Sequence, residues 1–470
     1  MKTSDAGNNR PFGIGFWSET VLAIAIVALL ARVAYNFYLY GYLIQPFFFE
    51  PSDTFMDWFN TAYWARDPGG YDSWRTIYPP LTFVVLRLFG IDSCYASNEG
   101  LPSRDCDWLG IATIFTFFAV NCVLIFLTMW KIDRRTAIQR TIALATGMPM
   151  LFALERGNVL LLTFTCFLLA VSPLLASARL KWLFAGLAIN FKVYLVAPFA
   201  VLILKRKWRW VEGVALATLA VYLISFAIYG AGSPREILSN ISDYSGGFIA
   251  SQVTDIWYSV TYQPLISLLS GQVFPVSRLI GSDLPEAGTF ILPLLVRTGQ
   301  VSLIVALVAA YLRPEAVAPF RLAALGACLA LITSEAGGYT QIIVILLVFM
   351  ERWRGVARPF AIVLCYILCL PGDITVGAVP TLYRESWLAG RDVIVDMGIG
   401  LGMFIRPGLL ILIGITIALS TIADVWRDIS GQGMRERWRY RSDAALMPGV
   451  DKPEKTPGNL DHKSAYRTVS

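Results

Sequence analysis

Apolar runs recur along the chain, and several approach the roughly 20 residues needed to cross the hydrocarbon of a bilayer. One covers about residues 18–41 and another about 109–130. A soluble core could not hide so many. The 470 residues are 56% hydrophobic and 15% charged, with a mean hydropathy of +0.59. An ordinary soluble chain carries roughly 25% charged residues. Length alone would allow about three soluble domains; composition excludes them. The expected fold class is all-α, a polytopic transmembrane helical bundle. The net charge of +6 does not point to nucleic acid. Most Lys and Arg stand in short loops between apolar runs, where they read as topology signals.

Those charges orient the chain. Lys2 and Arg10 place residues 1–17 in the cytoplasm. The run at 18–41 is read as a membrane helix, because no small-residue cleavage site follows it. Residues 42–108 then form the first extracytoplasmic loop. Within it, 77–90 is apolar but too short to cross, and reads as a half-membrane or interfacial helix. The span at 109–130 returns to Lys131, Arg134 and Arg135. Residues 140–176 are two runs broken at Glu155-Arg156-Gly157-Asn158, a turn that faces outside. The run at 182–204 has Arg179 and Lys181 before it and Lys205, Arg206, Lys207 and Arg209 after it. One crossing cannot leave both ends inside, and the run is too short for two. A re-entrant break near Asn190-Phe191-Lys192 resolves the conflict, and irregular backbone at that depth must line a protein cavity.

A span at 211–230 leads to a long extracytoplasmic segment, 231–290. Further spans are expected at about 291–312, 320–334, 338–350, 358–370 and 405–424, giving about ten crossings. The transmembrane domain thus covers 18–424. Residues 425–470 read as a basic, largely disordered cytoplasmic tail.

The only histidine is His462, in that tail. A Ser-His-Asp triad, a Cys-His pair and a His-rich metal site are therefore excluded. A general base must be a carboxylate, Lys, Tyr or Cys. Cys122, Cys166, Cys328, Cys365 and Cys369 lie in apolar runs and read as inert core residues. Cys94 and Cys106 share a short polar loop placed outside, where disulfides persist. A bridge between them is expected, with two free thiols as the alternative.

The densest chemistry is in the first loop, with Glu50, Asp53, Asp57, Asn60, Tyr63, Trp64, Arg66, Asp67, Arg75 and Tyr78. Asp57, Trp58 and Tyr63 fit a short helix, with Asp53 one turn before Asp57 on the same side. Two close carboxylates raise one pKa and make a useful base; the alternative is a solvated acidic loop capped by interfacial aromatics. Two carboxylates are an incomplete metal site, so no metal is expected, and no cofactor.

Lys192 sits in an apolar stretch, which is costly unless it faces a cavity or partner. It meets a lipid phosphate or snorkels to the headgroups. Arg156 and Asn158 line the same outside cavity, or Glu155 and Arg156 form a self-paired turn. Glu335 falls in a further outside turn, Ser334–Gln341, as part of the site or of a plain turn. Arg32, within the first span, is an interior or snorkelling residue.

These residues carry a resemblance. Asp57 with its aromatic-rich helix, followed by Tyr78-Pro79-Pro80-Leu81, resembles the first loop of glycosyltransferase family 87. These are polyprenyl-phosphate-mannose-dependent mannosyltransferases of the GT-C superfamily in bacterial membranes. Gly157-Asn158-Val159-Leu160-Leu161 is similar to the family's Gly-Asn segment before a Leu-rich span. Lys192, followed by an apolar helix and Lys205-Arg206-Lys207-Trp208-Arg209, is similar to its lysine segment. The order holds over about the first 210 residues; beyond them only the topology is similar. The later turn at Ser334–Gln341 carries Tyr339 and no histidine, unlike many family members.

The resemblance implies a GT-C-like fold and an inverting hexose transfer, of mannose in family terms, on the extracytoplasmic face of a bacterial inner membrane. It implies a polyprenyl-phosphate sugar donor, a lipid or glycan acceptor, and contact with membrane lipids. Asp57 takes the role of base. Lys192 and nearby arginines take the phosphate side, with Asp53, Tyr63, Arg75, Tyr78, Arg156, Asn158 and Glu335 as further substrate-binding candidates. Two rivals use other chemistry. A polysaccharide polymerase or ligase needs arginines in the long outside segment, where Arg235 and Arg278 are sparse. A transporter needs a matched pair of broken helices, and the sequence shows one. A nucleotide-sugar donor is disfavoured, because no Gly-rich phosphate loop is present.

Overall fold

The computed structural model describes residues 13–47, 50–96, 100–243, 258–271, 281–334, 336–376, 381–396 and 398–432. It is a helical membrane bundle. Helix α1, Ile14–Tyr40, runs without proline and ends at Gly41, whose positive φ of 78° closes it. A 3₁₀ turn, Pro51–Asp53, then precedes α2, Met56–Trp64. Pro79 and Pro80 open α3, Pro80–Leu88, where the missing N–H costs nothing. Helix α4, Gly100–Cys106, is tied back by a disulfide between Cys94 and Cys106. Asp107 caps α5, Trp108–Ile132, by accepting from the Gly110 N–H at 3.1 Å.

The second apolar stretch divides at Gly147-Met148-Pro149 into α6, Ala137–Thr146, and α7, Met148–Glu155. After the turn come α8, Leu160–Val171, and α9, Ala178–Phe191. Lys192 is extended and breaks the helix within 182–204, at the place where the basic residues on both sides called for a break. The chain resumes through a 3₁₀ turn into α10, Val196–Ala200. Then follow α11, Trp208–Tyr229, α12, Pro234–Asp243, and α13, Gln263–Leu269. Helices α14, Asp283–Leu312, and α18, Gly402–Gln432, pack on each other, with α15, Pro319–Thr333, α16, Gln341–Val348, and α17, Ala357–Leu368, between and beside them.

Several expectations need correction. Among the described residues, six helices are long and apolar enough to cross a membrane and five further apolar helices are shorter, so the count of ten crossings is approximate. The spans expected at 338–350 and 358–370 are helices of 8 and 12 residues. Every residue of α16 is buried. Such a segment meets protein rather than lipid, so bilayer thickness does not fix its length. The last helix continues to Gln432, past the tail boundary placed at 425. The arginines at 435–441, His462, Arg278 and Glu335 lie outside the described residues.

Between α17 and α18 the described residues are not all helical. They form two small antiparallel sheets. β1, Thr375–Val376, pairs with β4, Ile399–Gly400, and β2, Thr381–Ser386, pairs with β3, Arg391–Asp396. In β3 the buried Val393 and Val395 alternate with exposed neighbours, the period of a half-buried strand. The β2–β3 hairpin packs on the end of α1, where Ser386 Oγ donates to the Gly41 carbonyl at 2.6 Å.

The other end of α1 is held by buried ions. The Arg140 guanidinium donates to both Glu19 oxygens at 2.8 and 2.9 Å, and the two side chains are 2% and 0% exposed. Trp353 Nε1 and Tyr366 Oη also donate to Glu19, at 2.5 and 2.9 Å. Arg321 similarly joins Glu351, at 2.7 Å, to Asp424, at 2.5 Å. Removing one member strands a buried charge. We expect Arg140→Met to cost about 3–5 kcal/mol, with Arg140→Met/Glu19→Gln recovering much of it. Thermal unfolding in detergent measures both. Equal midpoints for Arg140→Met and wild type would contradict this.

Candidate active site

Asp53 and Asp57 do not lie on one helix, as the four-residue spacing suggested. Phe55 takes a positive φ of 66° between them, separating the 3₁₀ turn from α2. The two carboxylates nevertheless converge, because a distant segment gathers them. The Phe55 N–H donates to the Glu155 carbonyl at 2.8 Å, and the Asp57 N–H to the Arg156 carbonyl at 3.0 Å. These bonds fasten the start of α2 to the turn after α7. Gly157 makes the approach feasible. Its φ is 61°, and a Cβ there would stand 3.0 Å from the Phe55 backbone.

The side chains complete the junction. Arg156 donates to Asp57 Oδ1 from Nε at 3.1 Å and from Nη2 at 2.6 Å, and to Asp53 Oδ2 from Nη1 at 2.5 Å. Asn158 Nδ2 donates to Asp57 Oδ2 at 2.7 Å. Asn158 cannot simply flip, because its Oδ1 accepts from the Leu160 N–H at 2.9 Å. Asp57 and Asp53 remain 21% and 28% exposed, so both can be reached from outside the bundle. Burial pushes the Asp53 carboxyl above its usual range; Arg156 pulls it back, while Asp57 and Glu50 add repulsion. Asp57 also stands in the first turn of α2, where the helix dipole favours negative charge. A guanidinium already bridges the two carboxylates, where a divalent ion would need to bind.

Three residues outside the sequence reading hold this junction. Arg104, 4% exposed, donates from Nη1 to the Ser52 and Thr54 carbonyls at 2.6 and 2.9 Å, fixing the turn that carries Asp53. Its guanidinium lies 4.8 Å over the Trp387 ring. Trp387, on the hairpin turn, packs edge-on to Phe55 at 5.3 Å and donates from Nε1 to Asp105 Oδ1 at 2.8 Å. Arg384 of β2 donates to Glu50 Oε2 at 2.5 Å. Their signal in the sequence was weak: a single arginine beside Cys106, and a short alternating stretch far downstream.

A second cationic point faces an aromatic row. Lys192 Nζ donates to Tyr78 Oη at 3.2 Å, and stands 4.4 Å from the Tyr78 ring and 5.9 Å from the Tyr339 ring. Tyr339 stacks on Phe152 at 5.9 Å. Phe152 is four residues before Arg156, on the same side of α7. Ring contacts therefore lead from Lys192 to the helix that presents Arg156 to Asp57. Tyr194, two residues beyond Lys192, has a buried hydroxyl without a partner among the described residues.

Two candidates fall elsewhere. Arg75 is exposed and pairs at 3.9 Å with Asp243 of α12. Tyr63 packs edge-on to Trp74 at 6.0 Å. It stands six residues after Asp57, about 120° round the helix, so the two cannot share a face.

The family can now be placed. Residues 76–334 match the profile of Glycosyltransferase family 87, more than half of the chain. The chain belongs to glycosyltransferase family 87. As a family 87 protein it is a membrane glycosyltransferase, a transferase. The match extends past the first 210 residues, where the sequence resemblance ended. It takes in Tyr78, Arg156, Asn158 and Lys192, and begins after Asp53 and Asp57. No curated protein and no solved structure matches the chain.

Proposed function

We propose that this family 87 enzyme moves a hexose, mannose in the first instance, from polyprenyl phosphate to a hydroxyl of a lipid or glycan acceptor. The reaction is placed on the extracytoplasmic face of a bacterial inner membrane and inverts the anomeric centre. The supporting observation is the junction of Asp57 with Arg156 and Asn158 at one end of the bundle, linked by aromatic rings to Lys192.

Asp57 Oδ2 takes one hydrogen bond, from Asn158, and keeps a lone pair for an incoming hydroxyl. The acceptor oxygen attacks the anomeric carbon, and its proton passes to Asp57. The bond from that carbon to the phosphate oxygen breaks, and the phosphate leaves with the electron pair. Lys192 stabilises the charge that develops on it. Arg156 Nη2 holds the other oxygen, Oδ1, at 2.6 Å, so that Oδ2 faces the acceptor. The unpartnered Tyr194 hydroxyl supports a polar ligand near Lys192.

The test is transfer of radiolabel in isolated membranes from polyprenyl-phosphate mannose, with polyprenyl-phosphate glucose and a nucleotide sugar as comparisons. We expect product from the first donor only. In Lys192→Gln the rate should fall roughly 100- to 1,000-fold, the usual loss for one electrostatic stabiliser, with normal expression. Transfer from the nucleotide sugar alone, or an unchanged Lys192→Gln rate, would refute the phosphate-side assignment.

A further inference from the structure

The first helix carries an arginine that the reaction does not use. Arg32 is exposed on α1, among the exposed apolar residues Val21, Ile24 and Val27. Among the described residues no carboxylate pairs with it. It borders a cavity of about 310 Å³ between α1, the end of α17 and the start of α18. The wall opposite is mostly apolar, and Ile367 and Ile405 on its rim are exposed. The opening therefore faces the bilayer.

The charges in this groove do not cancel. Asp373 pairs with Arg406 at 3.3 Å and also accepts from the Gly402 N–H at 2.8 Å. Arg406 in turn lies 5.1 Å over the Tyr258 ring. Asp373 thus offsets Arg406, and Arg32 leaves the groove with one net positive charge. A bare guanidinium in hydrocarbon is expensive and is stabilised by an anion or by the headgroup layer. Arg32 is eight residues before the end of α1, about 12 Å along the axis. Exposed Tyr35, Tyr38 and Tyr40 lie between it and that end, as in an interfacial aromatic belt. A long side chain at this depth reaches phosphate level.

We propose that this groove binds one anionic phospholipid of the surrounding bilayer. Its phosphate pairs with Arg32, and the first methylenes of an acyl chain fill the apolar floor. Basic pockets between transmembrane helices recognise headgroups in this way. The volume suits a phosphate and a short alkyl segment, at roughly 30 Å³ per water-sized group. The occupant is a bilayer lipid rather than the sugar donor. The groove is built by α1, α17 and α18, and none of these supplies Asp57, Arg156, Tyr78 or Lys192. The proposal stands whether or not the donor assigned above is correct.

The test is native mass spectrometry of the detergent-purified full chain, titrated with phosphatidylglycerol, phosphatidylethanolamine or polyprenyl phosphate. Wild type should retain one phosphatidylglycerol about tenfold more tightly than Arg32→Gln. Arg32→Lys should keep most of that binding. Ile405→Trp, which fills the groove and leaves Arg32 in place, should lose it. Equal retention by wild type and Arg32→Gln would overturn the proposal. So would displacement of the bound phosphatidylglycerol by equimolar polyprenyl phosphate, which would give the groove to the donor.

Discussion

Asp57→Asn should lower the transfer rate by roughly 100- to 10,000-fold, the range for losing a positioned general base, while the bundle stays folded. The amide cannot take the acceptor proton at neutral pH. Asp53→Asn should cost much less. Asp53 takes one bond from Arg156, whereas Asp57 takes two from Arg156 and one from Asn158. Asp53 thus tunes the charge around the guanidinium, and Asp57 offers the oxygen. Initial rates with saturating donor, alongside circular dichroism of the purified variants, separate loss of chemistry from loss of fold. If Asp53→Asn is the dead variant and Asp57→Asn is active, the base is Asp53, whose raised pKa makes that the first alternative.

Arg156→Ala should be worse for the protein than either carboxylate change. It removes the cation between two carboxylates and leaves them facing each other. The guanidinium is 13% exposed and the carboxylates 28% and 21%. Breaking a buried pair costs about 3–5 kcal/mol, and this partial opening places the site at about 2–4 kcal/mol. The clasp between Phe55 and Glu155 should loosen with it, so transfer should be undetectable. Arg156→Lys keeps the charge but lacks the fork that reaches both carboxylates. We expect intermediate stability and a rate well below wild type. Thermal midpoints in detergent and transfer rates check both. A Lys variant equal to wild type would show that charge alone is needed.

What could be read from sequence divides along physical lines. The long spans were legible because an apolar run declares its own solvent. The end of α1, the two prolines opening α3 and the break at Lys192 each carried a local signal. The apolar runs that became α15, α16 and α17 were legible as helices, but their lengths of 15, 8 and 12 residues were not, because composition does not distinguish a helix facing lipid from one enclosed by other helices. In the site, each acidic and basic residue drew attention by its own cost or density. Their pairing did not, because Asp57 and Arg156 are 99 residues apart and no local pattern encodes such a contact. Arg104 and Trp387 were invisible for the same reason: their importance comes from touching the Asp53 turn. Arg75 and Tyr63 were candidates by proximity in sequence alone, and helix geometry sends Tyr63 to a different face.

The most direct test of the account exchanges two side chains. Asp57→Asn/Asn158→Asp keeps one amide and one carboxylate in contact, and keeps a negative charge near Arg156. It moves the carboxylate by about the length of one hydrogen bond, roughly 3 Å, away from the acceptor's approach. The exchanged variant should fold better than Asp57→Asn alone, as read by its thermal midpoint. Its transfer rate should remain as low as that of the single variant. Transfer at the wild-type rate by the exchanged pair would contradict it, because the reaction would then need only the charge balance around Arg156 and not a base at position 57.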